Sequence, residues 1–206
     1  MSIQAYYKPK GISSAKFLEL IKKNPNVKKI GHGGTLDPIA EGVLVVGINE
    51  GTKQLQNVLK NTEKEYIATI ELGKSSDTYD IEGNIINHNV KQFPKEIILK
   101  KGKILQAPPK YSAIKIKGQP AYKLARQGKE FEIPKRETEI IDIELLEYIP
   151  PLIKIRLVVK SGFYVRSFAH DLGEELKTGA ILTQLIRTRV GDFKIEDAVR
   201  TVGAST

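Results

Sequence analysis

Gly31-His32-Gly33-Gly34-Thr35-Leu36-Asp37-Pro38, followed by the apolar run Gly42-Val43-Leu44-Val45-Val46-Gly47, is the stretch that decides how this 206-residue chain folds. Glycines 31, 33 and 34 let the backbone bend where side chains would clash, and Asp37, ahead of Pro38, is steered away from helical angles. The glycine-bounded run behind it predicts a buried strand that anchors the turn in a core. A carboxylate is thereby presented from a stiff turn. A surface turn whose aspartate bonds only its own backbone fits the same residues, so the neighbouring stretches must decide.

Toward the N-terminus, Ser13-Ser14 offers helix caps, and residues 15–23 place Phe17, Leu18 and Ile21 on one side before Asn24-Pro25-Asn26 ends the helix. Toward the C-terminus, Leu55, Val58 and Leu59 predict a helix over 52–60, and strict alternation through Tyr66, Ala68, Ile70 and Leu72 predicts a strand over 64–72. A polar loop over 73–80 and a small hairpin over 81–86 follow. A helix is expected after Pro94, with Ile97, Ile98 and Leu99 as its apolar content. Residues 106–136 mix lysines, arginines, tyrosines, prolines and glycines with little to bury, and predict a projecting basic loop or hairpin with a helical turn at 120–127. Strands are expected at 138–147 and 152–160, around Pro150-Pro151. A helix with Val165, Phe168, Ala169, Leu172 and Leu176 on one stripe comes next, and a last helix over 180–188. There is no repeat and no clean linker. One α+β domain over 1–206 is the economical reading, its strands too irregularly spaced for repeated βαβ units.

Composition narrows the chemistry. No apolar run approaches eighteen residues and no secretion signal opens the chain, so no membrane span and a cytoplasmic location are expected. Cysteine is absent, which removes thiol catalysis and thiolate metal sites, and His32, His88 and His170 show no ligand spacing; no metal is expected. The net charge of +9 is uneven: residues 1–36 carry seven Lys/Arg against one Glu, and residues 100–136 carry eleven against two. Such islands predict a polyanionic partner.

With thiol, metal and Ser/His/Asp chemistry unsupported, carboxylates remain as reactive groups, and Asp37 is the best placed. A carboxylate acts as nucleophile or base in a partly dry site only while ionised, which calls for a nearby cation. Arg166, after Gly162 and Tyr164 at a strand-to-helix junction, is the candidate; an arginine on the solvent face of that helix fits equally well. For Tyr66, simple packing in the core is the competing reading.

Five motifs stand in a telling order: Lys8-Pro9-Lys10-Gly11-Ile12-Ser13-Ser14, Gly31 to Leu44, Lys64-Glu65-Tyr66, Gln106-Ala107-Pro108-Pro109-Lys110-Tyr111-Ser112-Ala113, and Gly162-Phe163-Tyr164-Val165-Arg166. Together they resemble the TruB family of tRNA pseudouridine synthases over nearly the whole chain. The resemblance implies a pseudouridine-synthase catalytic domain with a mixed, mainly antiparallel sheet flanked by helices, and residues 106–136 as an RNA-contacting insertion. It implies a cofactor-free isomerisation of a uridine in the T loop of tRNA, the T arm being the partner of a monomeric enzyme. Asp37 matches the catalytic aspartate, Arg166 its ion-pair partner, Tyr66 the residue stacking on the uracil, and Tyr164 one that takes up the carbon 5 proton and contacts the base. Leu185 matches an apolar contact to the base, and His32 the residue filling the gap left by the extruded base. Lys8, Lys10, Lys115 and Lys117 are expected on the RNA backbone. These roles make physical sense: a stacked base must be flipped out at a cost of a few kcal/mol, and an aromatic platform returns about 1–3 kcal/mol. With the sequence ending at Thr206, no C-terminal PUA-like RNA-binding extension is expected; the chain also departs from the family in Lys160-Ser161 and in Ile186 preceding Arg187 where two basic residues often occur. A guide-dependent synthase of ribosomal RNA and a tRNA-folding chaperone are the alternatives.

Overall fold

The computed structural model describes residues 2–200. In chain order its elements are β1 (Ile3–Lys8), α1 (Ser14–Lys22), β2 (Ile30–Gly33), β3 (Ala40–Ile48), α2 (Gly51–Val58), β4 (Lys64–Leu72), β5 (Lys74–Ser76), β6 (Ile85–Asn87), β7 (Gly102–Gln106), β8 (Lys115–Ile116) and β9 (Gln119–Pro120). Then come α3 (Ala121–Arg126), β10 (Arg136–Ile149), β11 (Leu152–Val159), α4 (Val165–Glu175), β12 (Ala180–Val190), β13 (Phe193–Lys194) and a final 3-10 turn, Ile195–Asp197. The fold is mixed α/β with mainly antiparallel strands. The described residues divide into two compact units, 2–67 with 184–200, and 68–183.

In the first unit β3 is the central strand. Its residues 42–47 pair antiparallel with β1, and residues 45–48 pair antiparallel with β2. Its start pairs parallel with β12, Leu185 opposite Ala40 and Arg187 opposite Gly42. Val43 and Val45 form a core with Ala5, Leu55 and Val190, and α1 adds the fully buried Phe17. Gly42 is required here: its φ is +102°, and a Cβ would run into the Arg187 carbonyl oxygen.

In the second unit β10 pairs antiparallel with β11 and with β7. Ile153, Ile155 and Leu157 are wholly buried, as are Ala169 of α4 and Ile181 and Leu182 of β12. The hairpin expected at 81–86 is displaced, because β5 pairs with β6 around the loop 77–84.

Two expected helices are absent. Residues 94–101 form no helix; Ile97 is buried while Ile98 is exposed, and three consecutive apolar residues make no helical stripe. The segment 180–188 is strand β12, not a helix. Ile181, Thr183, Ile186, Thr188 and Val190 are β-branched and favour a pleated, paired strand, and the pairing with β3 supplies what local periodicity lacks.

Candidate active site

In the first unit, β2 and β3 make a hairpin whose connecting loop, residues 34–39, carries Asp37. Leu36 and Ile39, buried on either side, anchor it while Asp37 itself is half-buried. Three further ties hold the loop. The buried Ser14 hydroxyl donates to the Leu36 carbonyl at 2.8 Å and accepts from the Leu36 N–H at 2.9 Å. The Gly11 N–H donates to the Pro38 carbonyl at 2.8 Å. The Arg187 guanidinium, 1% exposed, donates from Nη2 to the Gly34 carbonyl at 2.9 Å, from Nη1 to that of Thr35 at 3.4 Å, and from Nε to that of Val43 at 2.8 Å. The stiff turn read from the glycines is thus made rigid by hydrogen bonds from α1 and β12.

The same unit holds His32, Tyr66 and Leu185. His32 lies on β2 opposite Val46; burial, then the Arg187 charge, lowers its pKa. Leu185, buried on β12, pairs with Ala40, three residues past Asp37. Tyr66 is buried on β4, whose N-terminal end is tied to β12 by the Thr188 hydroxyl donating to Glu65 at 2.8 Å.

Lys8 overturns an expectation. It is fully buried, and its Nζ donates to the carbonyls of Pro9 and Ile12 at 2.9 and 2.7 Å. An ammonium enclosed in this way braces the turn into α1 and does not reach an RNA phosphate. Lys10 is exposed.

In the second unit, Arg166 occupies the first turn of α4 and is buried, which excludes the solvent-face reading. A cation at a helix N-terminus faces an unfavourable dipole, a cost of about 0.3–1 kcal/mol, and its partners offset it. Nη1 donates to the Thr78 carbonyl at 3.0 Å and Nη2 to that of Tyr111 at 2.9 Å, while Nε stands 3.7 Å from Asp80 Oδ2. Asp80 is fixed in turn: its Oδ1 accepts from Thr78 Oγ1 at 2.6 Å and from the Glu82 N–H at 2.9 Å. Tyr79 stacks on His170, centroids 4.1 Å apart, joining this loop to α4 one turn beyond Arg166.

Tyr164 precedes α4 and is half-buried. The buried Gln106 side chain clamps its backbone, accepting from the Tyr164 N–H at 2.8 Å and donating to its carbonyl at 3.0 Å. Ser167 donates to the Ala107 carbonyl at 2.7 Å. The first part of the expected projection, 106–112, therefore packs on the start of α4. The exposed part follows: Lys115 on β8 and Lys117 in the β8–β9 turn are both exposed, and the expected helical turn is α3. Among the described residues no three His, Asp or Glu side chains converge as a metal-ligand set, and no helix is long and apolar enough to cross a membrane.

Ser14, Asp80, Gln106 and Arg187 are the positioning side chains that the sequence did not single out. All are buried polar groups; Ser14, Gln106 and Arg187 reach partners far away along the chain, while Asp80 is held by its neighbours Thr78 and Glu82 and faces the distant Arg166, and only the serine pair and the conspicuous Gln106-Ala107-Pro108-Pro109 string gave any signal.

Residues 22–165 match the family described as TruB family pseudouridylate synthase (N terminal domain). A tRNA pseudouridine synthase B of Mycoplasmoides gallisepticum is 42% identical over 198 residues, covering 93% of this chain and 92% of that protein. The one from Francisella tularensis subsp. tularensis is 44% identical over 200 residues, 94% of this chain and 66% of the relative, so the chain spans about two thirds of that protein's length. Among solved structures, that of a Cbf5-Nop10-Gar1 complex superposes with a TM-score of 0.70 at 33% identity, covering 96% of this chain and 51% of the other. An H/ACA RNP bound to a substrate RNA containing 2'-deoxyuridine gives 0.67 at 30%, covering 96% and 50%.

Proposed function

The chain belongs to the TruB family of pseudouridylate synthases, and from that premise we propose that it converts a uridine in the T loop of tRNA to pseudouridine without a cofactor. The observation that carries the reading is the Asp37 loop, tied by Ser14, Gly11 and Arg187 so that a half-buried carboxylate is held at a fixed place. The reaction balances within the nucleoside. The bond from C1' to N1 breaks, the uracil turns, a bond from C1' to C5 forms, the C5 proton leaves, and N1 gains a proton.

In this reading Asp37 attacks the flipped nucleoside, and Arg166 is the guanidinium that the family pattern pairs with it. Tyr66 stacks on the uracil, Leu185 contacts it, Tyr164 takes up the C5 proton, and His32 fills the gap in the loop. Fixing such groups in advance is what lowers the barrier, because orientation is not lost again at the moment of reaction. Lys10, Lys115 and Lys117 meet the phosphate backbone, with affinity that falls as salt rises. The enzyme works as a cytoplasmic monomer on the T arm. Identity favours tRNA over guide-directed RNA, 42–45% to the tRNA synthases against 30–33% to the Cbf5-type structures. Incubating the protein with an unmodified tRNA transcript and mapping pseudouridine by sequencing tests the reading. One modified site in the T loop is expected; a transcript bound but left unmodified rejects the enzyme in favour of a chaperone.

A further inference from the structure

Arg187 carries more charge into the first unit than the hydrogen bonds of the Asp37 loop require. It is almost wholly buried, yet its side-chain hydrogen bonds all go to carbonyl oxygens, and among the described residues no carboxylate lies in ion-pair contact with it. A buried cation compensated only by neutral dipoles leaves a positive potential around it. That potential reaches its neighbours. Burial and then the Arg187 charge bring the Lys64 ammonium down to about 8, and the same causes lower His32.

The geometry gives this potential a direction. Lys64 Nζ stands 3.5 Å and Arg187 Nη1 3.6 Å from the point where a Cβ on Gly34 would lie, so both cations converge on one side of an exposed residue with φ +81°. His32 adds a ring Nδ1 that is buried and has no hydrogen-bond partner. Lys64 and Tyr66 share a face of β4, about 7 Å apart by the rise of a strand. A cation therefore stands one side-chain step from the aromatic platform.

We propose that Lys64, with the more deeply buried Arg187 on the same side of Gly34, forms a subsite for one RNA backbone phosphate adjoining the nucleotide held at Tyr66. The assignment rests on the RNA reading given above. Arg187 does not touch the phosphate; it holds the loop carbonyls and adds charge from the interior. Lys64 is the contact, and the exposed Gly34, having no side chain, leaves the approach open. The phosphate supplies the negative charge that the buried guanidinium lacks.

The test uses the full chain and T-arm stem-loop RNAs that each carry one neutral methylphosphonate linkage in the loop, with binding measured over a potassium chloride series. For the wild-type protein, one linkage next to the target uridine is expected to cost about tenfold in affinity. In Lys64→Gln that same linkage is expected to cost nothing further, and the slope of log affinity against log salt falls by about 0.7–0.9, one phosphate contact. Lys64→Arg retains the linkage effect. A slope unchanged in Lys64→Gln, or the same linkage effect in variant and wild type, overturns the subsite and leaves Lys64 a packing residue. Should the Gln variant fail to fold, Lys64→Arg decides: loss of the linkage effect there overturns the subsite. Binding with the linkage effect but without pseudouridine would reject the proposed activity while the subsite stands. Absence of any RNA binding by the wild-type protein would reject both.

Discussion

Replacing Ser14 by alanine isolates what the serine pair does for the Asp37 loop. The change removes a hydroxyl that is 1% exposed and both of its hydrogen bonds to Leu36. It leaves a buried N–H and a buried carbonyl without their partner. Each such orphan costs about 1–3 kcal/mol, and losing the serine's own desolvation returns part of this. A net loss of about 2–4 kcal/mol follows, a large share of the 5–15 kcal/mol typical of a domain. At about 2–4 °C per kcal/mol for a chain of this size, melting falls by roughly 5–15 °C. Because Leu36 adjoins Asp37, a loop loosened by ~1 Å is expected to slow single-turnover pseudouridine formation by about 10²-fold even where the protein remains folded. Ser13→Ala is the internal control. Its hydroxyl caps α1 at 3.2 Å from the Lys16 N–H and is exposed, so it costs about 1 kcal/mol in stability and leaves the rate of the folded enzyme near wild type. Thermal melts and single-turnover assays of both variants settle the matter. Ser14→Ala turning over at the wild-type rate, or Ser13→Ala losing as much rate, would refute the reasoning.

Asp80→Asn keeps the shape of the side chain but withdraws the carboxylate 3.7 Å from buried Arg166; turnover is expected to fall about 10²-fold with tRNA affinity nearly unchanged, and an unaltered rate constant would show that Arg166 is held well enough by carbonyls. Lys115→Gln with Lys117→Gln is expected to weaken tRNA binding and flatten its salt slope by about 1.4–1.8, whereas an unchanged slope would assign both to bulk solvent. Lys64 titrates at about 8 in the fold against about 10.4 in an unfolded chain, so between those values the unfolded state binds more protons and stability rises with pH. The burial penalty is fully felt below about pH 8; melting of the wild type should therefore gain on Lys64→Gln from pH 7.5 to 9.5, and a constant difference would contradict the shift.

The strands at 42–47, 64–72, 138–147 and 152–160 were legible because alternation or an unbroken apolar run is a local signal that burial then enforces. So was α1, from Ser13 and the spacing of Phe17 and Ile21. β12 was not legible: its partner β3 lies about 140 residues away, and a segment with apolar residues at 181, 182, 185 and 186 also fits helical spacing. Lys8 misled because a lysine beside proline and glycine looks like solvated surface, while in the fold it ends β1 fully buried. Positions of candidate chemistry could be proposed from motif order, but what holds them could not. Ser14 reaches Leu36 across 22 residues, Gln106 reaches Tyr164 across 58, and Arg187 reaches Gly34 across 153. Hydrogen bonds from buried side chains to distant backbone atoms leave no periodic trace.

Asp37→Asn removes the charge with little change in volume, and it probes the claim on which everything else depends. With an unmodified tRNA transcript, the variant is expected to bind within a few-fold of wild type and to form no pseudouridine over many wild-type half-times. Pseudouridine formed by Asp37→Asn at a rate near that of the wild type would contradict the account.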